Sequence, residues 1–400
     1  MILSGVRILS FTTGIAGPNA GRILASLGAE VIKVESTNGG IDAFRYFGAG
    51  DDLNSSARFA EANLGVKSVT ANLKHPDGSA LVRRLAAQCD VVLENYRPAV
   101  LERLGLGYED LRLARPDVIV VKMPGLGSTG PLHRYGTWGA LLTAYSGLTW
   151  LWNQPDATVP VGNQGVYPDY LSAVLAPMVL VSALIRREAT GEGCLIDLAQ
   201  SEATAFCALP ISFLDVTVNG TDPQPVGNRS RDGEVQGVYR CLGDDAWCVI
   251  RLESDDHWNA LWALIEGVPS PSAPPFAGLA AARDHHDAVD HLISDWTASR
   301  TPRAAMAELQ AHGIPAGEVA SGSDLLTDPQ LGRGGFIRRF EQPGIGEMVV
   351  PGLPLEVAPS VLQEPPPAAA LGEHNEQIFK GLVGLSDDEY DALLEGGVLA

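Results

Sequence analysis

Basic side chains are scarce in this chain. Its 400 residues include 28 Lys and Arg against 48 Asp and Glu, so the formal net charge is −20. Binding to nucleic acid or to an anionic membrane needs a basic surface that neutralises phosphates. We therefore expect neither of them as a partner, and a phosphate-bearing ligand has to be held by a few local cations.

Cysteines are also few, and they are scattered. The five cysteines show no C-x-x-C spacing, which argues against both a disulfide framework and a zinc site. The eight histidines form no spaced pair with a second metal ligand, so we predict no metal. A chain without disulfides is typical of a reducing compartment, and we expect a cytoplasmic protein.

Long apolar runs are missing as well. The longest, at residues 173–185, has about 13 residues and contains Pro177, whereas a bilayer-spanning helix needs about 20. The first 18 residues carry Arg7 as their one basic residue and show no A-x-A-like cleavage site. We expect neither a transmembrane helix nor a secretion signal.

What the sequence does have is a regular alternation of apolar strands and helices. The strands are VRILSF, AEVIKVE, SVTANL, DVVLEN and DVIVVKMPG, and the helices are GPNAGRILASLG, PDGSALVRRLAAQ and AVLERLG. This alternation predicts a parallel sheet with helices on both faces, that is, a Rossmann-like α/β domain. One further strand and helix follow in GCLIDLAQSEATAFCAL.

The pattern changes after residue 218. Residues 219–234 are rich in Gly, Pro, Asn and charge, which indicates a linker. The strands GVYRCL and AWCVIRL and two helices then indicate a small α+β domain, and a strand pair in FIRRFEQPGIGEMVVP returns the chain to the large domain. We predict four segments: 1–218, large domain; 219–234, linker; 235–325, small domain; 326–400, return to the large domain and a C-terminal helix.

Seven sequence blocks resemble, in order, those of the class III CoA-transferases. They are GIAGPNAGRILASLGAEVIKVE, NLGVKSVTANLK, DVVLENYRPAVLERLGLGYEDL, MPGLGSTGP, GCLIDLAQSEA, DPQLGRGGF and LGEHNEQI. That family includes formyl-CoA and carnitine CoA-transferases and 2-methylacyl-CoA racemases. The resemblance covers nearly the whole chain and is weakest over residues 219–320. It implies an interlocked homodimer in which each chain threads around its partner.

The resemblance places the catalytic nucleophile at Asp169, in VYPDYLSAVLAP. An aspartate that attacks a thioester carbonyl gives a mixed anhydride and releases the CoA thiolate. The thiolate then forms an aspartyl-CoA thioester, and the acceptor acid reverses the sequence. An Asp before a helix is also typical of an N-cap, an alternative that the surrounding blocks outweigh.

The resemblance also implies the residues that contact CoA, which is a substrate here and not a tightly bound cofactor. These residues are Gly14, Ile15, Ala16, Lys74, Asn95, Tyr96 and Arg103. Gly14 and Gly17 would let backbone N–H groups approach an anion at a helix start. The family frequently has a basic residue where this chain has Ser36, and Arg45 or Lys33 are candidates to compensate.

The first alternative is a 2-methylacyl-CoA racemase, which shuttles an α-proton between a histidine and an aspartate. The racemase histidine lies in a G-H-D segment, whereas this chain has Gly136, Thr137 and Trp138. His133 would be displaced by several ångströms. We therefore favour a transferase, and we predict that Thr137 and Trp138 lie in the substrate pocket.

Two other functions compete with this one. A nicotinamide oxidoreductase is disfavoured because GIAGPNAG lacks the G-x-G-x-x-G spacing. A subunit of a heteromeric CoA-transferase stays open, since some family members work in unlike pairs. The glycine-rich loop of some formyl-CoA transferases has no counterpart in NRSRDGEVQGVY.

The acyl groups are not determined by the sequence, so both the donor and the acceptor acid stay open. Four aromatic residues precede the nucleophile and would either line a wide apolar pocket or form core. They are Trp138, Tyr145, Trp150 and Trp152.

Overall fold

A computed structural model describes residues 1–160, 165–268, 271–358 and 364–399. The chain forms two compact units. The first comprises Met1–Leu148, Asn163–Thr221 and Arg333–Ala400, and the second comprises Thr149–Gly162 and Asp222–Gly332.

The stretch Thr149–Gly162 belongs to the second unit, although the sequence analysis assigned it to the large domain. Hydrogen bonds to the predicted linker account for this difference. The indole N–H of Trp150 donates to Pro223 O at 3.1 Å. The backbone N–H of Gly227 donates to Asn153 O at 3.2 Å.

The first unit is built on a sheet of six parallel strands, which confirms the predicted mixed α/β class. They are β1 Arg7–Phe11, β2 Glu30–Glu35, β3 Lys67–Thr70, β4 Val91–Glu94, β5 Ile119–Lys122 and β6 Cys194–Asp197. The strand order is β3-β2-β1-β4-β5-β6, so the direction of winding reverses between β1 and β4. Ligands of open α/β sheets bind at such a switch point, outside the carboxyl ends of the strands.

Helices cover both faces of this sheet. Helices α1 Ala16–Ser26 and α8 Tyr167–Thr190 pack on one face, and α3 Pro76–Ala86, α4 Val100–Arg103 and α5 Tyr108–Ala114 pack on the other. The other helices of this part of the chain are α2 Ala57–Ala62, α6 Gly139–Tyr145, α9 Gln200–Ala208 and α10 Pro210–Leu214, together with α7 Leu148–Leu151, which runs from the first unit into the second. A 3-10 helix spans Ala43–Phe47 and a π-helix spans Asp215–Asn219. Neighbouring strand residues such as Ile8 and Leu9 enter separate cores on opposite faces, which explains the continuous apolar runs.

The C-terminal part of the chain completes the first unit. It contains a 3-10 turn at Arg333–Gly335, then β10 Ile337–Gln342, β11 Gly346–Pro351, α16 Asn375–Phe379 and α17 Asp387–Glu395. The predicted strand pair is antiparallel, with Phe340 opposite Met348. The side chain of Asn375 bonds the N–H and the hydroxyl of Thr70, each at 2.8 Å, so the LGEHNEQI block fastens the chain end to edge strand β3.

The second unit is a three-stranded antiparallel sheet with helices. Its elements are β7 Val235–Arg240, β8 Trp247–Leu252, α11 Asp255–Glu266, α12 Gly278–Asp284, α13 His286–Thr297, α14 Pro302–Ala311, β9 Ala316–Glu318 and α15 Gly322–Thr327. Sequence patterns predicted β7, β8, α11 and α13. They missed β9, because Ala-Gly-Glu has no strand propensity. They also missed α14, although its Thr301 cap and Pro302 start are typical of a helix beginning.

Helix α8 has 24 residues and is long and apolar enough to cross a membrane by length and composition. It is longer than the predicted apolar run because it continues through Arg186 and Arg187 to Thr190. In the structure it packs beside α1, and Ala176, Leu180 and Ala183 lie in the core beneath the sheet. A helix in the core of a soluble protein can be equally long and apolar, so α8 does not by itself indicate a membrane span.

Candidate active site

A cavity of about 850 Å³ lies in the first unit, at the carboxyl ends of the parallel strands. Its walls come from the segments that follow β1, β2, β3, β4 and β5 and from the first turns of α6, α8 and α9. Segments far apart in sequence meet there because carboxyl ends of parallel strands share one sheet edge.

Most of the predicted site residues line this one cavity. They are Gly14, Ile15, Lys74, Asn95, Tyr96, Arg103, Thr137, Trp138 and Asp169. Ala16 does not line it, because its side chain is fully buried in α1. Burial raises the pKa of the Tyr96 phenol, so that hydroxyl stays protonated at neutral pH.

The turn after β1 is fixed by hydrogen bonds to Asn95 and Asp42. The side chain of Asn95 accepts from Thr13 N–H at 2.9 Å and donates to Thr13 O at 2.8 Å. The N–H of Gly14 donates to Asp42 at 3.0 Å, so it is not the free donor that the sequence analysis expected. A Cβ at Gly17 would collide with the side chain of Thr12, so this glycine serves close packing and not ligand approach.

The cations near Ser36 differ from the predicted ones. The Arg45 guanidinium is buried and bonds Glu35 at 2.8 Å, and the ammonium of buried Lys33 pairs with Asp42. Neither can replace a basic residue at Ser36, so that expectation is wrong. The cation next to the turn after β2 is Lys74. Its Nζ lies so close to Gly39 that a Cβ at that glycine would be 3.0 Å away.

Asp169 is the one carboxylate among the described residues that line the cavity. Helix α8 begins at Tyr167 with Val166 as its N-cap, so Asp169 lies in the first helical turn and the N-cap alternative is wrong. In the described part of the chain its carboxylate has no hydrogen-bonding or ionic partner. Burial raises its pKa from 3.8 to about 6. An unpaired, half-buried carboxylate in a cleft is typical of a functional group.

The carboxylate of Asp169 lies directly against Gly139, the first residue of α6. A Cβ at Gly139 would collide with Asp169 Oδ2 and with the side chain of Val166. A Cβ at Gly125 would likewise collide with Thr137 Oγ1, so residues 136–139 pack between the β5 turn and α8. The glycines of this segment therefore allow the close approach of its backbone to the Asp169 carboxylate.

The cavity residues that were not predicted as site residues include Arg58, Arg97, His133, Tyr135 and Gln200. His133, which the sequence displaces by several ångströms from the position of the racemase histidine, lies in the cavity wall. Its Nδ1 bonds Gly130 O at 2.6 Å and its Nε2 accepts from Arg134 at 3.4 Å, so both ring nitrogens are engaged. Gln200 Nε2 donates to Met123 O at 2.9 Å, and its buried Oε1 has no partner among the described residues.

Arg97 and Gln200 lie inside two of the family blocks, whereas Arg58, His133 and Tyr135 lie outside every block. Of the four aromatic residues before Asp169, Trp138 lines the cavity. Tyr145, Trp150 and Trp152 are 57%, 45% and 43% exposed, so they are not core residues. Within the described ranges, no group of three or more His, Cys, Asp or Glu side chains could hold a metal ion.

Comparison with known families gives a match over most of the chain. The family model for CoA-transferase family III matches residues 3–375. A Mycobacterium tuberculosis protein named "Probable CoA-transferase Rv1866" is 31% identical over 99% of this chain, which spans 50% of that protein's length. Succinyl-CoA–D-citramalate CoA-transferase of Chloroflexus aurantiacus is 32% identical, covering 97% of this chain and 95% of that protein.

Solved structures agree with this match. A CAIB/BAIF family protein from Brucella suis is 28% identical, with a TM-score of 0.85 over 95% of this chain and 98% of that one. Rv3272 from Mycobacterium tuberculosis is 27% identical, with a TM-score of 0.78 over 94% and 98% of the two chains.

The raised pKa of Asp169 predicts a pH-dependent stability. Ionisation of Asp169 destabilises the folded state, because its folded pKa of about 6 exceeds the ordinary 3.8. This cost is absent below about pH 3.8 and complete above about pH 6. Asp169→Asn cannot ionise, so it should gain stability over the native protein between pH 4 and 7, by about 2–3 kcal/mol.

Thermal unfolding measured across this pH range tests the prediction, with the exposed Asp391→Asn as the matched control. A stability difference between Asp169→Asn and the native protein that does not vary with pH would contradict it.

Proposed function

Because this chain belongs to CoA-transferase family III, we propose that it moves CoA from an acyl-CoA donor to a carboxylic acid through Asp169. One observation carries this proposal: the unpaired carboxylate of Asp169 lies against Gly139 in a cavity otherwise lined by cations and neutral residues. A carboxylate without hydrogen bonds is free to attack, and with a pKa of about 6 it is mostly ionised at neutral pH.

The proposed reaction has four steps. Asp169 attacks the thioester carbonyl, which gives an aspartyl mixed anhydride and the CoA thiolate. The thiolate attacks the aspartyl carbonyl, which forms an aspartyl-CoA thioester and releases the donor acid. The acceptor carboxylate attacks this thioester, which forms a second anhydride and again frees the thiolate. Attack of the thiolate on the acceptor acyl carbonyl gives the new acyl-CoA and restores Asp169.

CoA would be held along the same cavity. Lys74 and Arg103 are exposed cations that line it, and neither has an ion-pair partner among the described residues. We propose that they bind the phosphates, with Gly14, Ile15 and Tyr96 as the neutral part of the wall. Asn95 contributes by holding the β1 turn. Ala16 is not included, because its side chain does not reach the cavity.

The relatives suggest which acids to test first. The Chloroflexus relative is named for succinyl-CoA and D-citramalate, and a human relative that is 27% identical is named succinyl-CoA:glutarate CoA-transferase. Both names combine succinyl-CoA with a dicarboxylic acid. We propose succinyl-CoA as the donor and a dicarboxylic acid as the acceptor.

We also propose the interlocked homodimer. An apolar surface on α8 to α10 supports a partner chain: Val174, Met178, Ile185, Phe206, Ile211 and Phe213 are each 58–79% exposed. Monomers rarely expose so much contiguous apolar area. A heteromer is the second candidate, since two relatives, 28% and 31% identical, are named as the beta and alpha subunits of succinyl-CoA–L-malate CoA-transferase.

Asp169→Asn should fold and lose transfer by several orders of magnitude, because an amide cannot form the anhydride. Transfer of CoA from succinyl-CoA to a panel of acids, followed by mass spectrometry of the CoA products, measures this loss. Hydroxylamine added during turnover should trap Asp169 as a hydroxamate. Asp391→Asn is the matched control, and near-native transfer by folded Asp169→Asn would refute the assignment.

The protein should not racemise 2-methylacyl-CoA, because Thr137 offers no group with a pKa near neutrality and His133 has both ring nitrogens engaged. The test is incubation with a 2-methylacyl-CoA in deuterated water without acceptor acid, with the α-position followed by NMR. Rapid exchange with loss of stereochemistry would favour the racemase instead.

The protein should be an obligate dimer of identical chains. Dilution should give no active monomer, since separation of threaded chains requires unfolding. Light scattering coupled to size exclusion measures the mass of the purified single chain. An active monomer, or activity that appears only when a second, unlike chain is added, would contradict the homodimer.

A further inference from the structure

The charge of the cavity is opposite to that of the chain. The residues that line it include four cations, Arg58, Lys74, Arg97 and Arg103, against the single carboxylate of Asp169. The chain as a whole has a formal net charge of −20. Two of the four cations, Lys74 and Arg103, are already proposed as contacts of the CoA phosphates. The other two have no role in that proposal.

Arg97 has a structural role. A Cβ at Gly136 would collide with the Arg97 guanidinium, so this group lies flat against the backbone of Gly136. Gly136 begins the segment that ends at Gly139, against which Asp169 packs. Arg97 therefore supports the segment beside the nucleophile, and Arg58 is the cation that is left without an assigned contact.

Arg58 is exposed on α2 and has no carboxylate partner in the described part of the chain. Glu61 would be its natural partner, since residues three apart on a helix lie on the same face. However, Glu61 pairs with Arg22, which also bonds the backbone oxygen of Pro351. Arg58 instead lies over the ring of Phe47, and its guanidinium carbon is 5.1 Å from the ring centroid.

Arg58 and Asp169 line the same cavity, and two observations describe the wall around them. Phe44 and Phe47, which form an edge-to-face pair at 5.7 Å, line the same cavity as Asp169. Tyr170 follows Asp169 on α8, and burial raises the pKa of its phenol. The charges of Glu61 and Asp169 raise that pKa further, while those of Arg22 and Arg58 lower it. Both Asp169 and Arg58 therefore act on this one hydroxyl.

We propose that Arg58 binds the free carboxylate of a dicarboxylic acyl group while its other end is bound to CoA or to Asp169. A guanidinium bonds a carboxylate through two parallel N–H groups, and the rings of Phe44 and Phe47 give the acyl chain an apolar surface beside it. Arg58 thus makes the enzyme select dicarboxylic over monocarboxylic substrates. This assignment rests on the proposed transferase function and names its substrate class.

The test compares two donors that differ in the distal carboxylate, succinyl-CoA and butyryl-CoA. Arg58→Gln should lower kcat/KM for succinyl-CoA by about 10- to 100-fold and change that for butyryl-CoA by less than about 3-fold. Arg58→Lys should keep part of the preference, because it retains the charge without the bidentate geometry. The matched control is Arg84→Gln, an exposed arginine on α3 outside the cavity lining.

A binding assay separates this proposal from the transferase proposal. In the Asp169→Asn background, where the donor stays intact, calorimetry should show tighter binding of succinyl-CoA than of butyryl-CoA, and Arg58→Gln should abolish the difference. Selective binding without transfer by the native protein would refute the transferase alone. Equal weakening of both donors by Arg58→Gln, or no preference in the native protein, would overturn the role of Arg58.

Discussion

The contact between the Asp169 carboxylate and the backbone of Gly139 is the constraint on which the site depends. It requires a glycine at the start of α6, a helix start at Tyr167 and a segment 136–139 that reaches between them. It also requires that a half-buried carboxylate have no partner among the described residues, which destabilises the folded protein. Functional sites commonly carry such a cost, and the large cores on both faces of the sheet offset it.

The pairing of cations with carboxylates explains which charges remain available around the cavity. Arg45 and Lys33 are buried beside Glu35 and Asp42, where they hold the segment after β2 and the turn at Gly14 in place. Removal of one partner from such a pair would leave an uncompensated buried charge. Arg45 and Lys33 therefore stabilise the segments that form the cavity wall without lining the cavity themselves. The exposed cations Arg58, Lys74 and Arg103 remain available for ligands.

The strand order explains how one cavity gathers so many separate segments. Winding reverses between β1 and β4, so the segments after these two strands diverge and leave a crevice between them. Asn95, directly after β4, bridges that crevice to Thr13, directly after β1, through two hydrogen bonds. The first turn of α8 then brings Asp169 to the same edge, although α8 follows β5 in the chain by more than 40 residues.

The sequence by itself determined most of the helices and strands and pointed to Asp169 as the candidate nucleophile. The spacing of apolar residues and the positions of glycine and proline predict β1 to β6, the strand pair near the C-terminus and most helices, because helix and strand formation depends largely on local sequence. The family resemblance predicts Asp169 and eight other residues that line the same cavity. Tertiary structure alone decided which polar groups are free. Asp42 binds both Gly14 N–H and Lys33, Thr13 binds Asn95, and Glu35 binds Arg45. Glu61 pairs with Arg22 and not with its helix neighbour Arg58. Competition for a partner depends on distances between chain segments, and a linear pattern does not contain those distances.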